Sequence, residues 1–117
     1  MTGGGLGRAL ALRFAAAGAN IVALDKDAGG LDGLAAELHA RGTACLPLPC
    51  DVTDAEACSG AVTHAVDRFG SLDVLVNNAG MSHRSGFAVT GLDVIRRVME
   101  VNFFGAVNCT KAALPHL

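Results

Sequence analysis

No stretch of this chain is strongly basic. It carries 9 Lys and Arg against 11 Asp and Glu, for a net charge of −2. Without a basic stripe there is no electrostatic footprint for a phosphate backbone, so nucleic acid is not expected as a partner. No uninterrupted apolar run is long enough to span a bilayer. The N-terminus also lacks the charged segment, apolar run and cleavage site of a signal peptide. No membrane partner is expected, and the cytoplasm is the default location. No Cys-x-x-Cys occurs. Cys45, Cys50, Cys58 and Cys109, with His39, His64, His83 and His116, are too dispersed for a structural zinc site. The cysteines read as separate thiols within or near a core. A phosphate loop ending in Gly-Lys-Ser or Gly-Lys-Thr is absent as well, because Arg8 follows Gly7. That argues against a mononucleotide triphosphatase.

What is present is a globular composition: 117 residues, 51% hydrophobic, 17% charged, 15 of them Gly. The length suits one domain or part of one. The chain opens on Met1-Thr2-Gly3-Gly4-Gly5-Leu6-Gly7, and an apolar helical pattern of Leu6, Leu10, Phe14 and Ala17 follows at once. A glycine run that opens a helix brings phosphate close to backbone N–H groups. Asp25 stands 20 residues after Gly5, just past the apolar run Ile21-Val22-Ala23-Leu24. That spacing suits a dinucleotide fingerprint with the acid on the ribose hydroxyls. The strand that should come before such a glycine run is missing from the sequence.

The rest alternates. A helix is expected over Leu6 to Ala17, with Gly18 as its stop, and a buried strand over Ile21 to Leu24. Leu31, Leu34 and Leu38 predict a helix from Ala28 to Arg41. Ala44 to Leu48 suits an edge strand, because its prolines remove ladder donors. Thr53 with Glu56 fits a capping box for a helix running to Phe69. Leu72-Asp73-Val74-Leu75-Val76 is the clearest strand. Thr90 is the expected cap of a last helix that runs to about Leu114, before Pro115. Strand–helix alternation of this kind implies an α/β fold, a three-layer, Rossmann-like parallel sheet with helices on both faces.

Several residues then stand out as site candidates. Asp25, at a strand end, would hold both ribose hydroxyls and repel a 2′-phosphate, which favours NAD over NADP. A plain surface acid is the competing reading, and Lys26 beside it weakens the discrimination. Asp51 suits an adenine edge with Val52 flanking the ring, or else it simply caps the helix with Thr53. Asn77, Asn78, Ala79 and Gly80 lie at a strand's carboxyl end, where ligands bind in open α/β sheets. Gly80 would permit close approach or a positive φ. Asn102 sits inside a largely apolar helix at a propensity cost, so it needs partners if buried.

With these residues in hand, the sequence resembles the short-chain dehydrogenase/reductase family. Asn77-Asn78-Ala79-Gly80 looks like that family's Asn-Asn-Ala-Gly motif, and Gly5-Leu6-Gly7 looks like the end of its Thr-Gly-x-x-x-Gly-x-Gly loop. In an alternative register Thr2-Gly3 form the family's Thr-Gly pair, and the loop is then two residues short. Asp25 matches the acid that favours NAD, Asp51 and Val52 match the adenine-side pair, and Asn102 matches the active-site helix asparagine. The resemblance implies that the Asn102 main-chain carbonyl helps hold a water in a proton relay. It implies a small alcohol or carbonyl as substrate of the complete enzyme. The family's catalytic serine and Tyr-x-x-x-Lys have no counterpart, because there is no Tyr and the only lysines are Lys26 and Lys111. Residues 1–117 are therefore expected to be part of a dinucleotide-binding domain, with the first strand and the C-terminal catalytic part absent. The resemblance places that strand between those of Ile21 and Leu72. A non-catalytic cofactor-binding or heteromer-forming fragment is the alternative. The apolar final helix leaves open a homo-oligomer.

Overall fold

The computed structural model describes residues 5–117. Five α-helices and two strands appear in order: α1 Gly5–Ala16, β1 Ile21–Asp25, α2 Ala28–Ala40, β2 Cys45–Pro49, α3 Ala55–Phe69, α4 Leu92–Met99 and α5 Gly105–Ala113. The alternation expected from the sequence is present through α3. Gly18 turns the chain out of α1 with φ +95°, and the Ala19 N–H donates to the Phe14 carbonyl at 3.1 Å. Among the described residues, no helix is long and apolar enough to cross a membrane.

β1 and β2 pair in parallel, Ile21 opposite Cys45 through Asp25 opposite Pro49. The Ile21 N–H donates to the Ala44 carbonyl and the Cys50 N–H donates to the Asp25 carbonyl. Alternation in a parallel ladder then turns Leu46 and Leu48 toward β1, and Pro47 and Pro49 away from it. Both prolines thus occupy positions where no ladder donor is needed, which explains how a Pro-x-Pro segment forms a strand.

The sheet divides two apolar layers. On one face Ile21, Ala23 and Cys45 meet Ala11 of α1 and Leu31, Leu34, Ala35 and Leu38 of α2. Leu31, Leu34 and Leu38 are almost fully buried. Each contributes about 1.5–3 kcal/mol relative to exposure. On the other face Leu24, Leu48, Val52 and Leu75 surround Cys50, Cys58, Ala61 and Cys109 from the β2 end, α3 and α5. All four cysteines are free, buried thiols, as expected, and Cys45 stands apart from the rest. The other three cluster because α3 and α5 pack on the same sheet face.

Three local expectations are corrected. The cap of α3 is Asp54, whose carboxylate accepts from Ala57 N–H at 3.1 Å, while Thr53 turns its hydroxyl to Asp51. Gly91, not Thr90, precedes α4, and Thr90 donates to the Gly86 carbonyl instead. The segment Leu72–Val76 joins no ladder among the described residues. A strand exists through its partner, and a cleft separates this segment from β1. Val74 and Val76 remain 56% and 46% exposed. The radius of gyration, 15.1 Å, exceeds the roughly 13 Å of a compact chain this long.

Stability in this chain should therefore come from α2 and not from 72–76. Leu38→Ala is expected to lower the urea-unfolding free energy by about 2–5 kcal/mol. Val74→Ala should change it by less than about 0.5 kcal/mol. Equal losses at the two positions would contradict this distribution.

Candidate functional site

The ladder itself assembles one side of the site. β1 ends in Asp25, and Cys50 and Asp51 follow β2 directly. The Cys50-to-Asp25 bond, 2.9 Å, holds the two exits side by side. Asp25 is 8% exposed, and one carboxylate oxygen accepts the Asp27 N–H at 3.1 Å. Asp27 in turn accepts from Gly29 N–H and caps α2. Asp51 is half-buried and accepts both the Thr53 N–H at 3.0 Å and the Thr53 hydroxyl at 2.8 Å. These bonds hold its carboxyl below the usual aspartate range, against partial desolvation, with Arg97 and Lys26 adding to the effect. The Arg97 guanidinium lies 3.9 Å from the second Asp51 oxygen.

α1 opens at Gly5, whose φ of +60° suits glycine. Gly7 is buried, whereas Leu6 is exposed. Arg8 pairs with Glu37 of α2, so its charge is engaged within the fold. The Gly3 assignment lies outside the described residues.

Opposite β1, the 77–80 segment is tied down by helix amides and hydroxyls. Asn77 Nδ2 donates to Thr110 Oγ1 of α5 at 3.0 Å. Asn102 makes a reciprocal pair with Met81: the Met81 N–H donates to Oδ1, and Nδ2 donates to the Met81 carbonyl, both at 2.8 Å. An exposed asparagine thus behaves as a two-point clamp on the loop after Gly80. Gly80 does not have positive φ. A Cβ there would stand 3.5 Å from Asn102 Oδ1, an ordinary contact.

The expected single last helix is interrupted at this clamp. Residues Glu100–Phe104 form a π-helical turn between α4 and α5, with the Gly105 N–H bonded to the Glu100 carbonyl. Such turns often mark functional positions. The sequence signal was Asn102 itself, a poor helix former in an apolar stretch, but it did not specify the extra residue in the turn. Two further residues position the turn after β2. Asn108 Nδ2 donates to the Val52 carbonyl at 2.9 Å. Gly105 lets α5 approach that turn, since a Cβ would fall 2.6 Å from Val52 Cγ2.

A cleft of about 440 Å³ runs along β1 between it and residues 72–76. It brings together Gly7, Val52, Asn77, Asn78, Ala79 and Asn102. Most of its length, from Phe14 and Asn20 to Leu24 and Phe69, is apolar and carries no candidate. Gly5, Leu6, Asp25, Asp51 and Gly80 do not border it. It coincides with the gap that the resemblance placed between the Ile21 and Leu72 segments.

An α/β unit with a parallel ladder, a glycine-led helix and an acid ending the first strand has a Rossmann-like arrangement. Comparison with known proteins narrows this class. A profile described as short chain dehydrogenase matches residues 1–117. Dehydrogenase/reductase SDR family member 7B of Bos taurus is 44% identical over 95% of this chain and 36% of that protein. A 3-ketoacyl-ACP reductase structure from Sinorhizobium meliloti superposes with TM-score 0.95 at 30% identity, covering 99% of this chain and 46% of that one. A 7α-hydroxysteroid dehydrogenase, solved with NADH and 7-oxo glycochenodeoxycholic acid, gives TM-score 0.93 at 30% identity over 98% and 45%. The chain belongs to the short-chain dehydrogenase/reductase family. It spans about a third of the length of the curated relatives it matches.

The clamp can be tested directly. Asn102→Ala removes two hydrogen bonds worth about 1 kcal/mol each. Tryptic cleavage at Arg84, inside the loop, should accelerate roughly ten- to thirtyfold, with Asn102→Asp intermediate. Unchanged cleavage would show that Met81 is held by other contacts.

Proposed function

We propose that this chain forms the cofactor-binding part of an NAD(P)-dependent oxidoreductase that prefers NAD. The complete protein would move a hydride between the nicotinamide and a small alcohol or carbonyl substrate. The observation that carries this reading is the juxtaposition of Asp25 and Asp51 at the carboxyl end of the ladder, forced by the Cys50–Asp25 bond. The donor set fits a dinucleotide. The α1 N-terminus would offer backbone N–H groups to pyrophosphate from Gly5 onward, through Leu6 and Gly7. Asp25, turned by the Asp27 N–H, would accept the ribose hydroxyls. Its fixed negative charge would repel a 2′-phosphate, despite Lys26 next to it. Asp51 and Val52 would border the adenine, and Asn77, Asn78, Ala79 and Gly80 would shape the cleft toward the nicotinamide. The NADH-bound hydroxysteroid dehydrogenase, similar over nearly the whole chain, supports the same cofactor class.

The bound nicotinamide supplies or accepts the hydride. The chain's own residues position and relay. Both polar side-chain atoms of Asn102 are engaged with Met81. By the family resemblance, its main-chain carbonyl, within the π-helical turn, would help hold a water in a proton relay. The substrate-side acid and base, a Ser and a Tyr-x-x-x-Lys by family resemblance, have no counterpart in residues 1–117. We assign the protein to the cytoplasm, without a nucleic-acid partner.

A second reading is a non-catalytic cofactor-binding or heteromer-forming fragment. The absence of Tyr and the exposed Phe103, Phe104, Leu114 and Leu117 favour it. The same apolar residues of the last helix would serve a homo-oligomer.

Calorimetric titration of the chain with NADH and NADPH tests the assignment. NADH is expected to bind at least about tenfold more tightly, and Asp25→Asn should narrow the gap by about that factor, near 1.4 kcal/mol. Equal affinity of the unmodified chain for both would reject the NAD preference. Sustained turnover of an added alcohol or carbonyl would remove the non-catalytic reading.

A further inference from the structure

Three of the four thiols meet in the core, at the end of β2 and between α3 and α5. Cys58 and Cys109 come from helices distant in sequence, yet their sulfurs lie 3.6 Å apart. Cys50 is the third member of the cluster. Cys45 sits in the other apolar layer. We propose that Cys58 and Cys109 are an oxidation site that closes into a disulfide, stapling α3 to α5.

The geometry gives each thiol a role. A disulfide needs sulfurs about 2.05 Å apart. The pair is already in van der Waals contact and bridges helices that pack together. Cys109 is 6% exposed and is the member of the pair that lines the cleft, and a peroxide is the oxidant class proposed here. Cys58 is 1% exposed, with its thiol facing the Val52 carbonyl at 3.5 Å. Burial pushes that thiol's pKa upward, so Cys58 is the less reactive member of the pair and attacks only once its neighbour's sulfur has been oxidised.

In the first step the Cys109 sulfur attacks one peroxide oxygen. The O–O bond breaks, a sulfenic acid forms, and the other oxygen leaves as water. In the second step the Cys58 sulfur attacks the sulfenic sulfur. The S–S bond forms, the S–O bond breaks, and the oxygen departs as water with the Cys58 proton. Two thiols lose two electrons in total, and one hydrogen peroxide becomes two waters. The staple would fix the wall of the cleft that carries Ala61, Val62, Gly105 and Ala106.

The test exposes the native chain to hydrogen peroxide, then denatures it in an alkylating reagent and maps the peptides by mass spectrometry. The expected result is a Cys58–Cys109 peptide pair, reversed by dithiothreitol, with Cys45 and Cys50 alkylated. Cys50→Ser should retain the cross-link, and Cys109→Ser should leave Cys58 alkylatable. If either variant misfolds, the map of the unmodified chain decides alone. A cross-link through Cys50 or Cys45 would overturn the proposal. So would four alkylated thiols after an exposure that converts Met81 to its sulfoxide.

Discussion

The five-residue ladder between Ile21–Asp25 and Cys45–Pro49 is the constraint on which the rest of the chain depends. It is the only sheet among the described residues, so every helix is positioned directly or indirectly by it. Its two faces separate the apolar layers, one under α1 and α2 and one under α3 and α5. Its carboxyl end sets Asp25 beside Cys50 and Asp51 through a single backbone bond. A slip of one residue would exchange the faces of β2 and move both acids out of register. The prolines add a second check, because a one-residue slip would turn them toward β1, where a ladder donor is needed.

The opposite side of the cleft is built differently. No ladder reaches residues 72–80 among those described, and side chains hold the region instead. Asn77 to Thr110, Asn102 to Met81 and Asn108 to Val52 tie successive loops to the π-helical turn and α5. Amides suit this task because each offers a donor and an acceptor at one point. Only Asn102 uses both, and it does so on one backbone unit. Gly105 completes the arrangement by letting α5 close on Val52. The asparagines therefore do structural work at the place where the family resemblance assigns catalysis.

Much of this was legible in the sequence. Leu31, Leu34 and Leu38 gave α2 its face, Ile21 to Leu24 gave β1, and Phe69 was the expected end of α3, which Gly70 caps with φ +80°. The Asn-Asn-Ala-Gly run pointed to the family, and the short chain dehydrogenase profile matches the chain. What was not legible depends on partners. Leu72 to Val76 has the composition of a strand, but a strand also needs a neighbour to bond. Thr53 and Asp54 are both good caps, and the choice fell to Asp54 because Asp51 claims the Thr53 hydroxyl. The π-helical turn adds a residue without altering the apolar period enough to be seen. The thiol cluster is a tertiary fact, since Cys58 and Cys109 are 51 residues apart.

Residue-resolved amide hydrogen exchange on the 117-residue chain tests the central claim most directly, because it reads which backbone groups are in a ladder. Ile21 and Ala23, bonded toward β2, should exchange at least about a hundredfold more slowly than their unstructured rates, while Val74, Leu75 and Val76 stay within roughly tenfold of theirs. Protection of Val74–Val76 equal to that of Ile21 would contradict the account, because the segment across the cleft would then share a ladder with the rest of the sheet.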